Sequence, residues 1–298
     1  MKVAITGSNG FVGKNLTGYL ENLFEIQKIS RVELGTIDAK ILDDCFAVIH
    51  LAGKAHDLKK SSSPEEYYKV NFELTCKLYD AFLKSPAKKF IFISSVKAAA
   101  DSVSSILTED NKPNPQTDYG KSKLMAEEYI QIQPLPEGKS YYILRPCMIH
   151  GPGNKGNLNL LYKFVKRKIP YPLAGFDNRR SFLSVENLCF VIKELVLRDE
   201  IPNGIYQVAD DEPLSTGQVV TLLANAIGVK PKLWNISPKL IHFLARCGDV
   251  LKLPLTTERL HKLTESYLVS NDKIKQVLGK ELPVSTIEGL TITAKSFN

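Results

Sequence analysis

Nowhere does the sequence approach the ~20 consecutive apolar residues that a membrane span needs, so a stably inserted chain is not expected. The nearest stretch, "LIHFLARCGDVLKLPL", is interrupted by Arg246, Asp249 and Lys252. It reads as an amphipathic helix, for packing in a core or at an interface ahead of contact with a membrane surface. Met1-Lys2 leads at once into a strand-like run rather than an apolar leader, so no secretory signal is expected. Cysteine is sparse: Cys45, Cys76, Cys147, Cys189 and Cys247 are scattered, with no CxxC spacing. An odd number without metal-type spacing fits free thiols in a reducing cytoplasm. No His/Cys/Asp cluster has ligand spacing, and no metal is expected. Internal repeats and low-complexity tails are also missing.

The charge is not balanced. The formal net charge of +7 suggests anionic partners. The basic residues are spread along the chain without a nucleic-acid motif, so phosphorylated small molecules explain the excess equally well, and no nucleic-acid partner is expected. With 44% apolar and 24% charged residues, the 298-residue chain is globular and long enough for one large domain or two modest ones.

What is present is an alternation. "KVAIT", "EIQKIS", "FAVIHLA", "KKFIFISS" and "SYYILRP" read as strands, and the third is nearly continuously apolar, as a strand buried on both faces should be. Between them, "FVGKNLTGYLENL", "SPEEYYKVNFELTCKLYDAFLKS" and "DYGKSKLMAEEYIQI" have helical spacing. Strand and helix repeated in this way predict an α/β fold, a Rossmann-like doubly wound parallel sheet. Beyond residue 150, "GPGNKGN" and "PYPLAGFDNRRS" have the Gly, Pro and Asn content of ligand-binding loops. The expected division is a nucleotide domain over 1–155, to which the chain returns around 181–210, and a smaller α/β substrate domain over 156–298.

Three features point to chemistry. Gly7, Gly10 and Gly13 follow the first strand and open the first helix, a turn that lets backbone approach a pyrophosphate at a helix N-terminus. At the end of the second strand stands Arg31, with Glu33 just beyond. An arginine there accommodates the 2′-phosphate of NADP(H), whereas an acid binds the 2′-hydroxyl of NAD(H); the reading favours NADP. Third, Tyr119 and Lys123 are four apart and so share one helix face. A phenol with an ordinary pKa of about 10 is lowered by an adjacent ammonium and an oxidised nicotinamide toward acid–base work. Ser95 ends a predicted strand, where ligand sites open in such sheets.

The order TGxxGFVG, "VIHLAG", "ISS", YxxxK and "LRPCMIHGPG" resembles the extended short-chain dehydrogenase/reductase family of nucleotide-sugar epimerases, dehydratases and 4-keto reductases, over nearly the whole chain. The resemblance implies that Gly7, Asn9, Gly10, Phe11, Val12 and Gly13 cradle the pyrophosphate, with Leu51, Ala52 and Gly53 beside the cofactor. It implies Ser95, Tyr119 and Lys123 as the catalytic set, with Lys123 also on the nicotinamide ribose. Pro146, Met148 and Ile149 then flank the nicotinamide. Arg180 and Asn157 meet the substrate diphosphate, and Arg259 is a second clamp. Val96 and Lys97 stand where family dehydratases carry an Asp-Glu pair, which argues against water elimination.

The strings "ISSVK", "GPGNKGN", "NRRSFLSVENL" and "VSNDKIKQVLG" are similar to bacterial reductases of UDP-4-keto-6-deoxy-N-acetylhexosamines, which serve surface-polysaccharide synthesis. Ala98-Ala99-Ala100 departs from the Val-Asn-Gly usual in that group, at positions expected near the sugar. The alternatives are a UDP-hexose 4-epimerase with retained NAD and a non-catalytic dinucleotide-binding sensor or assembly protein. The family pairs through helices at 65–84 and 119–133, so a homodimer is expected. His50 reads as a core histidine, His56 as a loop residue within reach of substrate, and Lys54 as facing either cofactor or water. Trp234 reads as structural.

Overall fold

A computed structural model describes residues 1–54, 63–154, 156–252 and 255–297. Its centre is a six-stranded parallel sheet. Strands β1 (Lys2–Thr6), β2 (Glu25–Ile29), β3 (Ala47–His50), β4 (Lys89–Ile93) and β5 (Ser140–Pro146) are joined at the far edge by β9 (Gly204–Val208), in the order β2-β1-β3-β4-β5-β9. Between β5 and β9 lie the short strands β6 (Met148–His150), β7 (Arg179–Arg180) and β8 (Phe182–Ser184). β6 pairs with β8, and β7 pairs with β10 (Leu214–Ser215).

Alternation along the strands builds two cores. Val3, Ile5, Ile49, Ile91 and Ile93 face helices α1 (Phe11–Leu20) and α7 (Val185–Leu197). Ala4, Val48, Phe90, Phe92 and Ile143 face α4 (Leu74–Lys84) and α5 (Asp118–Ile132). Each fully buried Phe or Leu contributes roughly 1.5–3 kcal/mol, so these faces rather than helix propensity hold the layers together. Strand order reverses beside β1, where β2 lies on one side and β3 on the other. A crevice therefore opens at the C-terminal ends of β1 and β3, the usual ligand position in such sheets.

The helix predicted from Ser63 onward is one element with an irregular centre. A short α3 (Pro64–Tyr67) passes through a π-helical turn (Tyr68–Glu73) into α4. Another short helix, α2 (Arg31–Gly35), follows β2 directly. A third apolar cluster lies outside the sheet. It joins α6 (Asn157–Lys166), α8 (Thr216–Ala226), α9 (Pro238–Leu251), α10 (Thr257–Thr264) and α12 (Thr286–Lys295) through Leu158, Leu223, Ile241, Leu260 and Leu290. Helix α11 (Asp272–Leu278) packs back on β9. After residue 180 the chain thus rejoins the sheet through α7 and β9.

Candidate active site

The glycine turn is tight enough to require glycine. Gly7 has φ +70°, and a Cβ there would lie 2.7 Å from the backbone nitrogen of Ala52. A Cβ on Gly13 would lie 2.2 Å from the Gly7 carbonyl oxygen. Gly10 caps α1 without a side chain, and no acid occupies the first helical turn. Backbone N–H groups and the positive end of the helix therefore face outward, with Asn9 and Gly10 exposed beside them. This cradle fits the pyrophosphate of a dinucleotide. Phe11 is half-buried against the sheet core and faces Gly151.

Arg31 is the exposed first residue of α2. Glu33, the acid nearest to it in sequence, is engaged elsewhere. Its carboxylate accepts the Ser30 N–H at 2.7 Å, while its own N–H donates to the Ser30 hydroxyl. Hydrogen bonds to the carboxylate from the Ser30 hydroxyl and then the Ser30 N–H hold it below the usual range.

Across the crevice, a cavity of about 250 Å³ is walled by Val12, Leu51, Gly53, Lys54, Ser95, Tyr119, Lys123, Pro146 and Ile149, among others. The structure thus brings the turn, the β3 end, the β4 end, α5 and the β5 exit to one place. Ala52, whose backbone leaves no room for a side chain at Gly7, donates its N–H to Thr6 Oγ1 at 3.1 Å. Ser95 caps a short 3₁₀ turn (Val96–Ala98), its hydroxyl accepting the Lys97 N–H at 3.2 Å. The same hydroxyl hydrogen-bonds the Tyr119 phenol.

The ionisation differs from the sequence-based expectation. Burial raises the Tyr119 pKa, and the Ser95 bond pulls it back only in part. The reason is desolvation: a phenolate in this pocket loses water. Lys123 is buried, and desolvation lowers it to about 8, against the opposing pull of Glu127. Its ammonium donates to the Ile93 carbonyl at 2.9 Å and lies 4.6 Å from the centre of the Phe92 ring. Gly53 leaves it room, since a Cβ there would come within 3.2 Å of Lys123 Nζ.

Several polar residues here were not singled out from sequence. Asn71, in the π-helical turn, accepts the Lys54 N–H at 2.7 Å and donates to the Lys54 carbonyl and to the Ser122 hydroxyl. It pins the β3 exit to α5, and π-turns often place side chains in this way. Glu127, one turn beyond Lys123, takes a two-pronged bond from Arg145 and the Ser94 hydroxyl, all three residues being buried. Its signal was the i, i+4, i+8 spacing of Tyr119, Lys123 and Glu127; Arg145 and Asn71 carried none. Lys54 faces this cavity and forms an ion pair with Glu66. His56 lies outside the described residues.

His50 is fully buried, with Nδ1 2.7 Å from Thr6 Oγ1 and Nε2 2.9 Å from Thr75 Oγ1. Burial, then the Lys123 charge, lowers it to about 3. The unfolded chain takes up this proton near pH 6.5 and the native one only near 3. Its contribution is therefore complete above 6.5 and is lost as pH falls. Between pH 6.5 and 5, wild type should lose about 2 kcal/mol more stability than His50→Gln. Urea unfolding tests this, and parallel pH curves for the two proteins would refute it.

A second, larger cavity of about 600 Å³ adjoins β6 and α6 and is mainly apolar. Asn157, the first residue of α6, and Arg180 both line it. The Arg180 guanidinium is steadied by the carbonyls of Glu265 and Lys262. Met148, expected beside the nicotinamide with Ile149, lines this larger cavity instead. Successive residues of a strand point to opposite sides, so Met148 and Ile149 separate. Arg259 is exposed on α10, and the described lining does not include it. Of Ala98-Ala99-Ala100, expected near the sugar, Ala98 and Ala99 are buried at the end of the 3₁₀ turn and Ala100 is half-buried. Lys97, beside them, donates to the Asp101 carbonyl at 2.6 Å and lies over the Tyr267 ring. Among the described residues, no group of three or more His, Cys, Asp or Glu is placed to hold a metal.

The family described as NAD dependent epimerase/dehydratase matches residues 3–209. The chain belongs to that family. It is an enzyme of the extended short-chain dehydrogenase type, and the parallel sheet with its glycine turn is the family's Rossmann-like core. Family relatives include UDP-glucose 4-epimerase of Vibrio cholerae, 31% identical over 99% of this chain and 95% of that protein. UDP-2-acetamido-2,6-beta-L-arabino-hexul-4-ose reductase of Pseudomonas aeruginosa is 29% identical over 75% of this chain and 57% of that protein. Among solved structures of this fold, UDP-glucuronic acid 4-epimerase from Bacillus cereus, in complex with NAD, superposes with a TM-score of 0.78 at 19% identity, covering 100% of this chain and 98% of that one.

Proposed function

We propose that this enzyme reduces the C4 ketone of a nucleotide-linked sugar, a UDP-4-keto-6-deoxy-N-acetylhexosamine, with NADPH. The observation that carries the reading is the Ser95 hydroxyl bonded to a protonated Tyr119 phenol, beside the buried Lys123 ammonium, in the cavity that meets the glycine turn.

Gly7, Gly10 and Gly13 would hold the pyrophosphate, Leu51, Ala52 and Gly53 the span beyond it, and Pro146 and Ile149 the nicotinamide face. When bound, that cofactor supplies hydride chemistry at C4. Ser95 aligns the ketone oxygen. Tyr119, kept protonated by burial, gives it a proton, which is the state a reduction needs. Lys123, at about 8, is mainly ammonium at neutral pH and stabilises the phenolate left behind. Arg180 and Asn157 would meet the substrate diphosphate from the larger cavity; a guanidinium has five donors, so the two carbonyl bonds leave others free. Val96 and Lys97, in place of an acidic pair, leave no acid and base for elimination. The capping of Glu33 takes up the acid nearest in sequence to Arg31, and among the described residues no ion pair of Arg31 is seen, which supports it as the charge for a 2′-phosphate. The relative in Pseudomonas supports the keto-sugar substrate.

A 4-epimerase uses the same residues, and the Vibrio relative, aligned over nearly the whole chain, favours it. We also read the enzyme as a cytoplasmic homodimer through α4 and α5; its five free cysteines support the compartment, and the exposed Ile132 on α5 supports the interface.

The test is incubation with the keto sugar and NADPH or NADH, with product NMR at C4. Net reduction should prefer NADPH, and Arg31→Ser should erode that preference roughly tenfold or more, the scale of one charge-assisted phosphate bond. Purified protein that carries NAD, interconverts C4 epimers and performs no net reduction would replace this reading with the epimerase.

A further inference from the structure

Helix α9 has two apolar stripes, and the fold covers one. Ile241 and Ala245 are buried in the third cluster, and Gly248 is buried on the same side of the helix. Leu240, Phe243, Leu244, Val250 and Leu251 are 51, 62, 46, 81 and 66% exposed. At 3.6 residues per turn these five fall on one arc of about 120°, adjoining the buried stripe. Lys239 and Arg246 border the arc on its other side, and Lys252 follows its end. The segment leading into the helix exposes Trp234 at 56%, where a structural role had been expected. A contiguous exposed apolar face of this kind marks an interaction site.

We infer that α9 docks this chain onto an anionic lipid bilayer surface. Charge selects the occupant. Residues 229–262 carry seven Lys or Arg against two Asp or Glu, which is +5 of the chain's +7. An apolar stripe rimmed by basic residues lies in the headgroup plane of an anionic membrane, its apolar face in the acyl boundary. A second copy of the same face would set like charges against each other. The helix is 14 residues, about 21 Å long, which suits lying along a surface. No helix among the described residues is long and apolar enough to cross a membrane. Ile241, one residue on from Leu240, lines the larger cavity, so the docking helix is also a wall of that cavity.

The test is sedimentation of the full chain with vesicles of equal parts phosphatidylcholine and phosphatidylglycerol, against vesicles of phosphatidylcholine alone. Wild type should sediment with the mixed vesicles only, and added salt should release it. The double variant Phe243→Glu, Val250→Glu changes two exposed positions. It should weaken vesicle affinity roughly tenfold or more, with unchanged NADPH affinity and unchanged mass in solution. The inference is overturned if wild type stays in the supernatant, if both vesicles bind equally, or if the variant binds as wild type does. It is also overturned if the variant splits a dimer, which would assign the face to a second copy.

Discussion

Tyr119→Phe should bind NADPH as wild type does and turn over roughly a thousandfold more slowly, the middle of the range for a positioned proton donor. The change removes one oxygen from a half-buried ring and leaves the glycine turn, Lys123 and the Pro146–Ile149 wall in place. The Ser95 hydroxyl loses its bond to the phenol. That costs about 1 kcal/mol of stability, far less than the expected catalytic effect. The loss should fall on kcat, because the proton moves only in the transition state, whereas KM reports diphosphate and cofactor contacts made elsewhere. Stopped-flow turnover with matched cofactor titrations reads both quantities. Full turnover by the phenylalanine protein would remove Tyr119 from the mechanism, and a fall in kcat/KM carried wholly by weaker cofactor binding would do the same.

Glu127→Ala attacks the site from behind. Arg145 is 1% exposed and its guanidinium is held by Glu127 alone among the bonds described. Removing the carboxylate strands a buried charge, at a cost of about 3–5 kcal/mol. The melting temperature should fall by roughly 6–15 °C, measured by scanning calorimetry. Replacing both partners, as Glu127→Leu with Arg145→Met, should recover much of the loss, because no orphaned charge remains. There is also an electrostatic consequence. Glu127 favours the charged form of Lys123, so its removal moves the lysine pKa below about 8. Whatever activity survives should therefore decline at lower pH than in wild type. A variant that melts within about 2 °C of wild type would limit the cost to about 1 kcal/mol by the same scaling and refute the stranded-charge account.

By itself the sequence determined whatever is written locally. Short, nearly continuous apolar runs specified the central strands, the glycine spacing specified a turn that a Cβ would block, and the four-residue step between Tyr119 and Lys123 put both on one helix face. Each is a short-range regularity of backbone geometry, so neighbouring letters carry it. Only the tertiary structure decided the rest. Asn71 meets Ser122 across 51 positions, and Lys123 meets the Ile93 carbonyl across 30. Met148 parts from Ile149 because a strand turns them to different cavities, and Glu33 is withdrawn into a helix cap. Helix α9 reads as one amphipathic element until packing shows which apolar stripe is covered. A buried polar group takes its energy from a partner that strand order delivers, and strand order is a property of the whole sheet rather than of any window of sequence.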